Sequence, residues 1–187
     1  MSVSELSTST QNYLKAIWGL KEWSSEPVTA TLIAKQLGLK LSSVSDAVRK
    51  MAKQGLVSHT PYGSVELTEL GRQYALVMVR RHRLLESFLV QALGYTWDEV
   101  HNEAENLEHA VSDMLIERVD KFLDYPTRDP HGDPIPTVDG QITIPSAHRL
   151  TDSGAQSQVT VERISDSDPQ LLKFLEERGI VTGAVLS

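Results

Sequence analysis

The sequence predicts a mostly α-helical protein with a small helical N-terminal part that ends in a hairpin, a helical middle part and a small C-terminal part with strands. Apolar residues recur at helical spacing along most of the first 123 residues. The spacing changes to every second residue in two short segments, residues 56–68 and 158–164. The charge also divides the chain: residues 1–83 have eleven Lys and Arg against six Asp and Glu, and residues 84–187 have seven against nineteen.

Composition excludes several classes of protein. The 187 residues include no cysteine, which excludes disulfides, cysteine-bound zinc, iron–sulfur clusters and thiol nucleophiles. No apolar run approaches the roughly 18 residues of a membrane span, and the N-terminus is polar, so we expect neither a membrane anchor nor a signal peptide. We therefore expect a cytoplasmic protein with no membrane partner. A basic part joined to an acidic part hints at nucleic-acid binding by the first.

The N-terminal part has the order of a winged helix-turn-helix. The spacing predicts helices over Thr10–Trp23, Thr31–Leu37 and Ser42–Gln54, with Thr29 as a cap and Gly38 as a terminator. A hairpin follows at residues 56–60 and 65–68, turning at 61–64. In this order the third helix suits the major groove and the hairpin the phosphate flank. The alternative is an ordinary pair of antiparallel helices.

The third helix provides the predicted DNA contacts. Ser42, Ser43, Ser45 and Asp46 lie near its N-terminal end and are expected to face bases or phosphates, and the basic residues are expected to hold phosphates. The complete predicted DNA-binding set is Lys40, Ser42, Ser43, Ser45, Asp46, Arg49 and Lys50.

Three further helices are predicted, each after a hydroxyl residue that can cap it: Thr68 to about Ala92, Thr96 to His109, and Met114–Leu123 after Ser112. Residues 125–158 are rich in Pro, Asp, Gly and Ser and are expected to form an irregular linker. A strand from Val159, a short helix over Pro169–Glu177 and a turn into another strand complete the prediction. We expect domains at 1–74, 75–140 and 141–187.

Histidines and carboxylates at helical spacing predict a metal site. His101, Glu105, Glu108 and His109 fall on one face of a helix, and His82 and Glu86 stand four residues apart on the preceding helix. Packed together, these helices would offer six donors suited to divalent Mn, Fe, Co, Ni or Zn. The alternative is a solvated acidic face with a surface His–Glu pair.

The remaining chemistry-bearing residues have weaker patterns. His59 and His131 are expected to be structural or surface residues because neither has a carboxylate or imidazole at ligand spacing. The sequence has no G-x-S-x-G, H-E-x-x-H or glycine-rich phosphate loop, so an enzyme is not expected. Two alternatives from other classes stay open: a metal-dependent hydrolase that uses the same cluster, and a winged-helix adaptor that needs no metal.

Four segments resemble the diphtheria-toxin-repressor family of metal-dependent transcriptional regulators, in particular its manganese-sensing MntR branch in the longer, three-domain actinobacterial form. The resemblance extends from about Gln11 to Val185, and the segments that support it are residues 80–86, 99–109, 112–113 and 130–136. It implies a cytoplasmic homodimer, formed through about residues 110–123, that represses metal-uptake genes by binding palindromic operators when metallated. It also implies a C-terminal SH3-like domain, which in longer members continues beyond the point where this chain ends.

The resemblance implies two metal sites. The first comprises His82, Glu86 and His101, joined by Asp168 or Gln170 from the C-terminal unit. The second comprises Glu105, Glu108 and His109, with Asn12 of the first helix. The iron-sensing branch has cysteine where this chain has Glu105, so Mn(II) is the expected metal, with Fe(II) as the alternative and Fe(II), Co(II) or Zn(II) as ions that bind in vitro. The manganese branch usually has aspartate where this chain has Asn12, although an amide oxygen can still ligate a hard dication.

Overall fold

The computed structural model describes residues 3–60, 63–154 and 158–187, and it divides into two units, Met1–Val79 and Arg80–Ser187. The first unit contains three helices, a hairpin and the beginning of a long helix: α1 Thr8–Glu22, α2 Ala30–Leu37, α3 Leu41–Lys53, β1 Val57–His59, β2 Val65–Leu67 and α4 Glu69–Leu93. The strands pair antiparallel, with Ser58 opposite Glu66. The predicted winged helix-turn-helix is confirmed, and the predicted turn residues 61 and 62 lie outside the described ranges.

Local capping explains where the first helices begin and end. The hydroxyl of Ser7 accepts the N–H of Thr10, so α1 begins two residues earlier than predicted. Thr29 accepts the N–H of Leu32, and Gly38 ends α2 in the left-handed conformation with φ 64°, as predicted. α3 begins at Leu41, and the preceding Lys40 makes no side-chain cap. The helix therefore begins one residue before the predicted Ser42, and Ser42 and Ser43 lie within it.

The second unit contains the rest of α4 and the remaining elements: α5 Trp97–Leu107, α6 Asp113–Phe122, β3 Val159–Thr160, α7 Pro169–Glu176 and β4 Val185–Leu186. β3 and β4 pair antiparallel, and both are two residues long, shorter than predicted. Glu99 accepts the N–H of Thr96, as the capping box predicts, and Ser112 caps α6 by accepting the N–H of Leu115. The three-domain division stays a prediction.

The end of α5 differs from the prediction. The helix stops at Leu107 and Glu108 is its C-cap, whereas the sequence predicted a helix through His109. The N–H groups of Ala110 and Val111 both bond to the carbonyl of Leu107, so the chain tightens into turns. His109 therefore does not continue the helical face that carries His101 and Glu105.

The first part of the segment predicted to be an irregular linker is held in place. Arg128 forms an isolated β-bridge with Pro134, and Asp129, His131 and Asp133 are buried. Gly132, at φ 88°, is required because a Cβ there would lie 2.1 Å from the carbonyl oxygen of Glu162. The prediction of irregular structure is confirmed, but the expected role as a linker is wrong for residues 128–135.

Each unit has an apolar core of its own. In the first, buried residues of α1, α2, α3 and the hairpin pack with the beginning of α4, including Leu14, Ile33 and Val48. In the second, Leu84, Leu89, Val100, Ile116 and Ile135 are among the core residues. None of the helices in the described ranges combines the length and apolar composition that crossing a membrane requires.

Candidate metal centre

One group of ligand atoms, which we call site A, comprises His82, Glu86, His101 and Asp166. One turn of α4 separates His82 from Glu86, and their Nε2 and Oε1 atoms lie 3.0 Å apart. From α5, Nδ1 of His101 lies 3.2 Å from the same Oε1 and 3.0 Å from Oδ2 of Asp166. The predicted residues His82, Glu86 and His101 thus lie together.

Asp166 is the member of site A that sequence analysis missed. The resemblance suggested Asp168 or Gln170 for this position, but Oδ1 of Asp168 accepts the N–H groups of Gln170 and Leu171 and so caps α7. Both residues are exposed, whereas Asp166 is half-buried against His101. In the structure, the residue that the C-terminal segment places beside His101 is therefore Asp166, and not Asp168 or Gln170.

A second group, site B, comprises His82, Glu105 and Glu108. Nδ1 of His82 lies 2.6 Å from Oε2 of the fully buried Glu108, so this imidazole belongs to both sites. Nε2 of His109 lies 3.4 Å from Oε1 of Glu108, and Nε2 of His101 lies 3.7 Å from Oε1 of Glu105. The structure thus brings together all six side chains that the helical spacing predicted: His82, Glu86, His101, Glu105, Glu108 and His109.

The predicted ligand Asn12 belongs to the other unit, on α1. Its Oδ1 atom is buried and makes no hydrogen bond to any described residue. A buried amide oxygen without a partner is unusual in a native protein and is free to ligate a cation. Its ligation of the metal stays a prediction.

Three arginines of α4 hold the segments around the centre. Nη2 of Arg80 lies 2.6 Å from Oδ2 of Asp120 on α6, and Nη2 of the buried Arg81 lies 2.5 Å from Oδ1 of Asp113. Arg83 donates from Nη1 to the carbonyl of Pro134 at 2.6 Å. These guanidinium groups thus tie the part of α4 around His82 to α6 and to the backbone at Pro134.

The electrostatics of site A favour ionised carboxylates beside imidazolium. Burial opposes ionisation of Glu86, but attraction to His82 and hydrogen bonds with His101 and His82 hold the pKa of Glu86 well below its usual value. Burial also opposes protonation of His101, yet hydrogen bonds to Asp166 and Glu86 raise its pKa to about 10. In the absence of metal, a proton on His101 balances the neighbouring carboxylates, and a metal ion would displace it.

The residues present fit a divalent metal. Sites A and B offer imidazole nitrogen and carboxylate oxygen, the donors that suit Mn(II), Fe(II), Co(II) and Zn(II). Oε2 of the buried Glu86 has no hydrogen-bond partner among the described residues. Clustered buried carboxylates repel one another, and a dication relieves that repulsion.

The other candidate surface is the outer face of α3. Val44, Val48 and Met51 are buried, and this burial leaves the opposite face of α3 polar. Of the predicted DNA-binding residues, Ser45 is half-buried and the others are exposed: Lys40, Ser42, Ser43, Asp46, Arg49 and Lys50. Arg49 forms an ion pair with Asp46, which sequence analysis did not foresee.

Comparison with known proteins identifies the family. Residues 5–65 match the model of the N-terminal DNA-binding domain of iron-dependent repressors, and residues 68–137 match the model of their metal-binding and dimerisation domain. The iron-dependent repressor IdeR of Mycobacterium tuberculosis is 35% identical over 97% of this chain and 84% of its own length. The chain belongs to the diphtheria-toxin-repressor family. Its members are metal-dependent transcriptional repressors and not enzymes.

Two further members of the family show similar matches. The diphtheria toxin repressor of Corynebacterium efficiens is 38% identical over 72% of this chain and 58% of its own length. A solved structure of a manganese-dependent transcriptional repressor in complex with manganese is 52% identical, with a TM-score of 0.90 over 94% of this chain and 81% of the other. The family resemblance and the absence of an enzymatic function are confirmed.

Proposed function

We propose that this repressor responds to manganese: with Mn(II) bound, it binds palindromic operators of metal-uptake genes as a homodimer. The observation that carries the proposal is Glu105, a carboxylate of site B. At this position the resemblance implies cysteine in the iron-sensing branch. Carboxylate is a hard donor that suits Mn(II), whereas thiolate favours softer ions. Further support comes from the 52% identity to a manganese-dependent repressor.

Each proposed ligand has a definable task. His82 joins the two sites because Nε2 faces Glu86 and Nδ1 faces Glu108. Glu86, His101 and Asp166 complete site A, and Glu105, Glu108 and His109 complete site B, with Asn12 as the ligand from the DNA-binding unit. A bound divalent ion supplies positive charge that holds these segments together. Ligation of Asn12 would make operator affinity depend on metal.

Dimerisation is assigned to α6. Met114, Leu115 and Phe122 on this helix expose 65%, 46% and 66% of their surface. Three large apolar side chains exposed on one short helix are typical of a protein interface. The match of residues 68–137 to a metal-binding and dimerisation domain also supports this assignment.

Iron is the second candidate metal. The relation to the iron-dependent repressor IdeR, over 97% of this chain, favours it. The Irving–Williams order places Fe(II) above Mn(II) at any such site, so affinity alone does not distinguish them. The difference must lie in which ion, once bound, promotes DNA binding.

The proposal is tested by DNA binding at controlled free metal concentration. A duplex selected from a random pool by the manganese-loaded protein is titrated, and fluorescence anisotropy is read with Mn(II), Fe(II), Zn(II) or chelator. We expect tight binding with Mn(II) and loss of binding in chelator. Glu105→Gln should weaken the response to Mn(II), and Glu103→Gln, on the same helix outside the ligand groups, should not. Equal binding with and without metal would refute the proposal.

A further inference from the structure

A third group of potential ligand atoms lies beside site A and comprises Glu86, Asp129 and His131. One atom of each side chain lies within 4.8 Å of the others. The three residues expose only 1%, 7% and 0% of their surface, so the group is closed to bulk water. Buried carboxylates and imidazoles require partners of opposite charge or hydrogen bonds.

Three atoms of two of these side chains have no hydrogen-bond partner among the described residues. Neither ring nitrogen of His131 makes a hydrogen bond to any described residue, and the same holds for Oε2 of Glu86. Nδ1 of His131 lies 3.9 Å from that Oε2, which is too long for a hydrogen bond. With metal–ligand bonds of about 2.1 Å, two donors of one ion can lie up to about 4.2 Å apart. The imidazole and the carboxylate are thus spaced as two ligands of one ion.

The third member is oriented by the backbone. Oδ1 of Asp129 accepts the N–H groups of His131 and Asp133, both at 2.9 Å. The turn that contains Gly132 therefore holds the Asp129 carboxylate beside the His131 ring. On the other side the Trp97 ring packs edge-on against His131, with ring centroids 5.3 Å apart. The imidazole is fixed in position although its nitrogen atoms have no partner.

Two guanidinium groups lie beside the carboxylates of Asp129 and Asp133. Nε of Arg83 lies 3.7 Å from Oδ2 of Asp129, and Nη2 lies 3.4 Å from Oδ2 of Asp133. Arg163 pairs with Asp133 at 2.5 Å. These guanidinium groups pair with Asp129 and Asp133, whereas Oε2 of Glu86 has no hydrogen-bond partner among the described residues. Clustered buried carboxylates repel one another, and a cation would relieve that repulsion.

We propose that Glu86, Asp129 and His131 form a third divalent-cation site in each chain. Glu86 is the carboxylate shared by two ions, with Oε1 directed to site A and Oε2 to the third site. One imidazole nitrogen and two carboxylates suit Mn(II), Fe(II) or Zn(II). Mg(II) and Ca(II) prefer sites in which every ligand is an oxygen atom. This inference goes beyond the proposed function and shares only Glu86 with sites A and B.

The test counts bound manganese. Full-length protein is dialysed to equilibrium against buffered MnCl₂, and the metal per chain is measured by mass spectrometry of the digested sample. His131→Phe removes the imidazole and keeps a ring against Trp97. The control His148→Phe makes the same change at an exposed histidine whose Nε2 lies 3.0 Å from Oγ of Ser153. We expect His131→Phe to bind about one ion fewer per chain than the wild type, and His148→Phe to match the wild type.

A second variant covers the case in which His131→Phe fails to fold. Asp129→Asn keeps an oxygen that can accept both N–H groups but removes the charge, and it should lose the same ion. Circular dichroism of the metal-free proteins establishes folding. If the folded variants bind as many ions as the wild type, the third site is refuted while sites A and B stand. If the wild type binds no manganese, the proposed function fails as well.

Discussion

At the residue scale, a single carboxylate determines how site A is completed. Asp166 lies 3.0 Å from His101, whereas Asp168, two residues later, caps α7. We expect Asp166→Asn to weaken manganese binding by about 10–100-fold, at least as much as the loss of an outer-shell partner. Asp168→Asn should leave metal affinity unchanged, and since asparagine also caps helices, stability should change by less than about 0.5 kcal/mol. Calorimetric titration of both variants with Mn(II) makes the comparison, and the reverse pattern would restore Asp168 as the ligand.

Gly71 allows the backbone of α4 to pass close to the backbone at Leu56. A Cβ at this position would lie 1.9 Å from the carbonyl oxygen of Leu56. We expect Gly71→Ala to lower the free energy of unfolding by about 1–3 kcal/mol, as overpacking does. At Gly19, within α1, a Cβ meets nothing within 4 Å, so Gly19→Ala should raise stability by about 0.5–1 kcal/mol. Urea denaturation measures both, and equal stability of the two variants would contradict the steric argument.

The sequence predicts individual ligands only where they share a helix. His82 and Glu86, and likewise His101 and Glu105, are four residues apart, which places each pair on one helical face. Asp166 is in an irregular segment far from His101 in the chain, and no periodicity connects the two. The sequence likewise predicts only a structural or surface role for His131. A turn places His131 near Glu86 and Asp129, and turns bring residues together without regular spacing.

At the scale of elements, we expect α3 to set the affinity for DNA. Arg49 is exposed on this helix, near the exposed Lys50. Phosphate contacts set affinity through counterion release, so Arg49→Ala should weaken binding to all DNA sequences alike and reduce the salt slope by about one. Lys173→Ala removes the same charge from α7 and should change neither quantity. Anisotropy titrations at several salt concentrations test this. An unchanged slope for Arg49→Ala would remove this residue from the interface.

The exposed apolar face of α6 leads to a prediction about the oligomeric state. Met114 is 65% exposed, and burial of such a side chain in a homodimer contributes about 1.5–3 kcal/mol. We expect Met114→Lys to shift the protein from dimer to monomer at micromolar concentration. Leu171→Lys on α7 changes another exposed apolar residue, 45% exposed, and should leave the dimer intact. Sedimentation equilibrium distinguishes these outcomes, and dimers of Met114→Lys would place the interface elsewhere.

Elements are predictable where a cap or a period marks them. Thr29, Gly38 and Ser112 mark helix ends that the structure confirms. The predicted α5 is two residues too long. The helical spacing of His101, Glu105 and His109 continues past the true end of the helix, and no glycine or other capping residue marks that end in the sequence. Residues 128–135 have the composition of a loop, which predicts a linker, but tertiary contacts to Arg83 and Glu162 order them.

At the scale of the whole molecule, a metal-dependent repressor must couple metal occupancy to DNA binding. Linkage makes this dependence reciprocal: operator DNA must raise metal affinity by the same factor by which metal raises DNA affinity. We expect Asn12→Ala to reduce that factor, because it removes the proposed ligand from the DNA-binding unit. Calorimetry of Mn(II) binding with and without operator measures it. An unchanged factor would remove Asn12 from the coupling.

The central claim is that this repressor is activated by manganese through a carboxylate-rich site. The most direct test measures operator binding against buffered free Mn(II) for the wild type and for Glu105→Cys, with Zn(II) as the comparison ion. We expect Mn(II) to activate the wild type. The cysteine variant should need a higher free Mn(II) concentration for half-maximal DNA binding, because thiolate is a poor donor for this ion. Equal activation of both proteins by Mn(II), or activation of the wild type by Zn(II) at lower concentration and to the same extent, would contradict the claim.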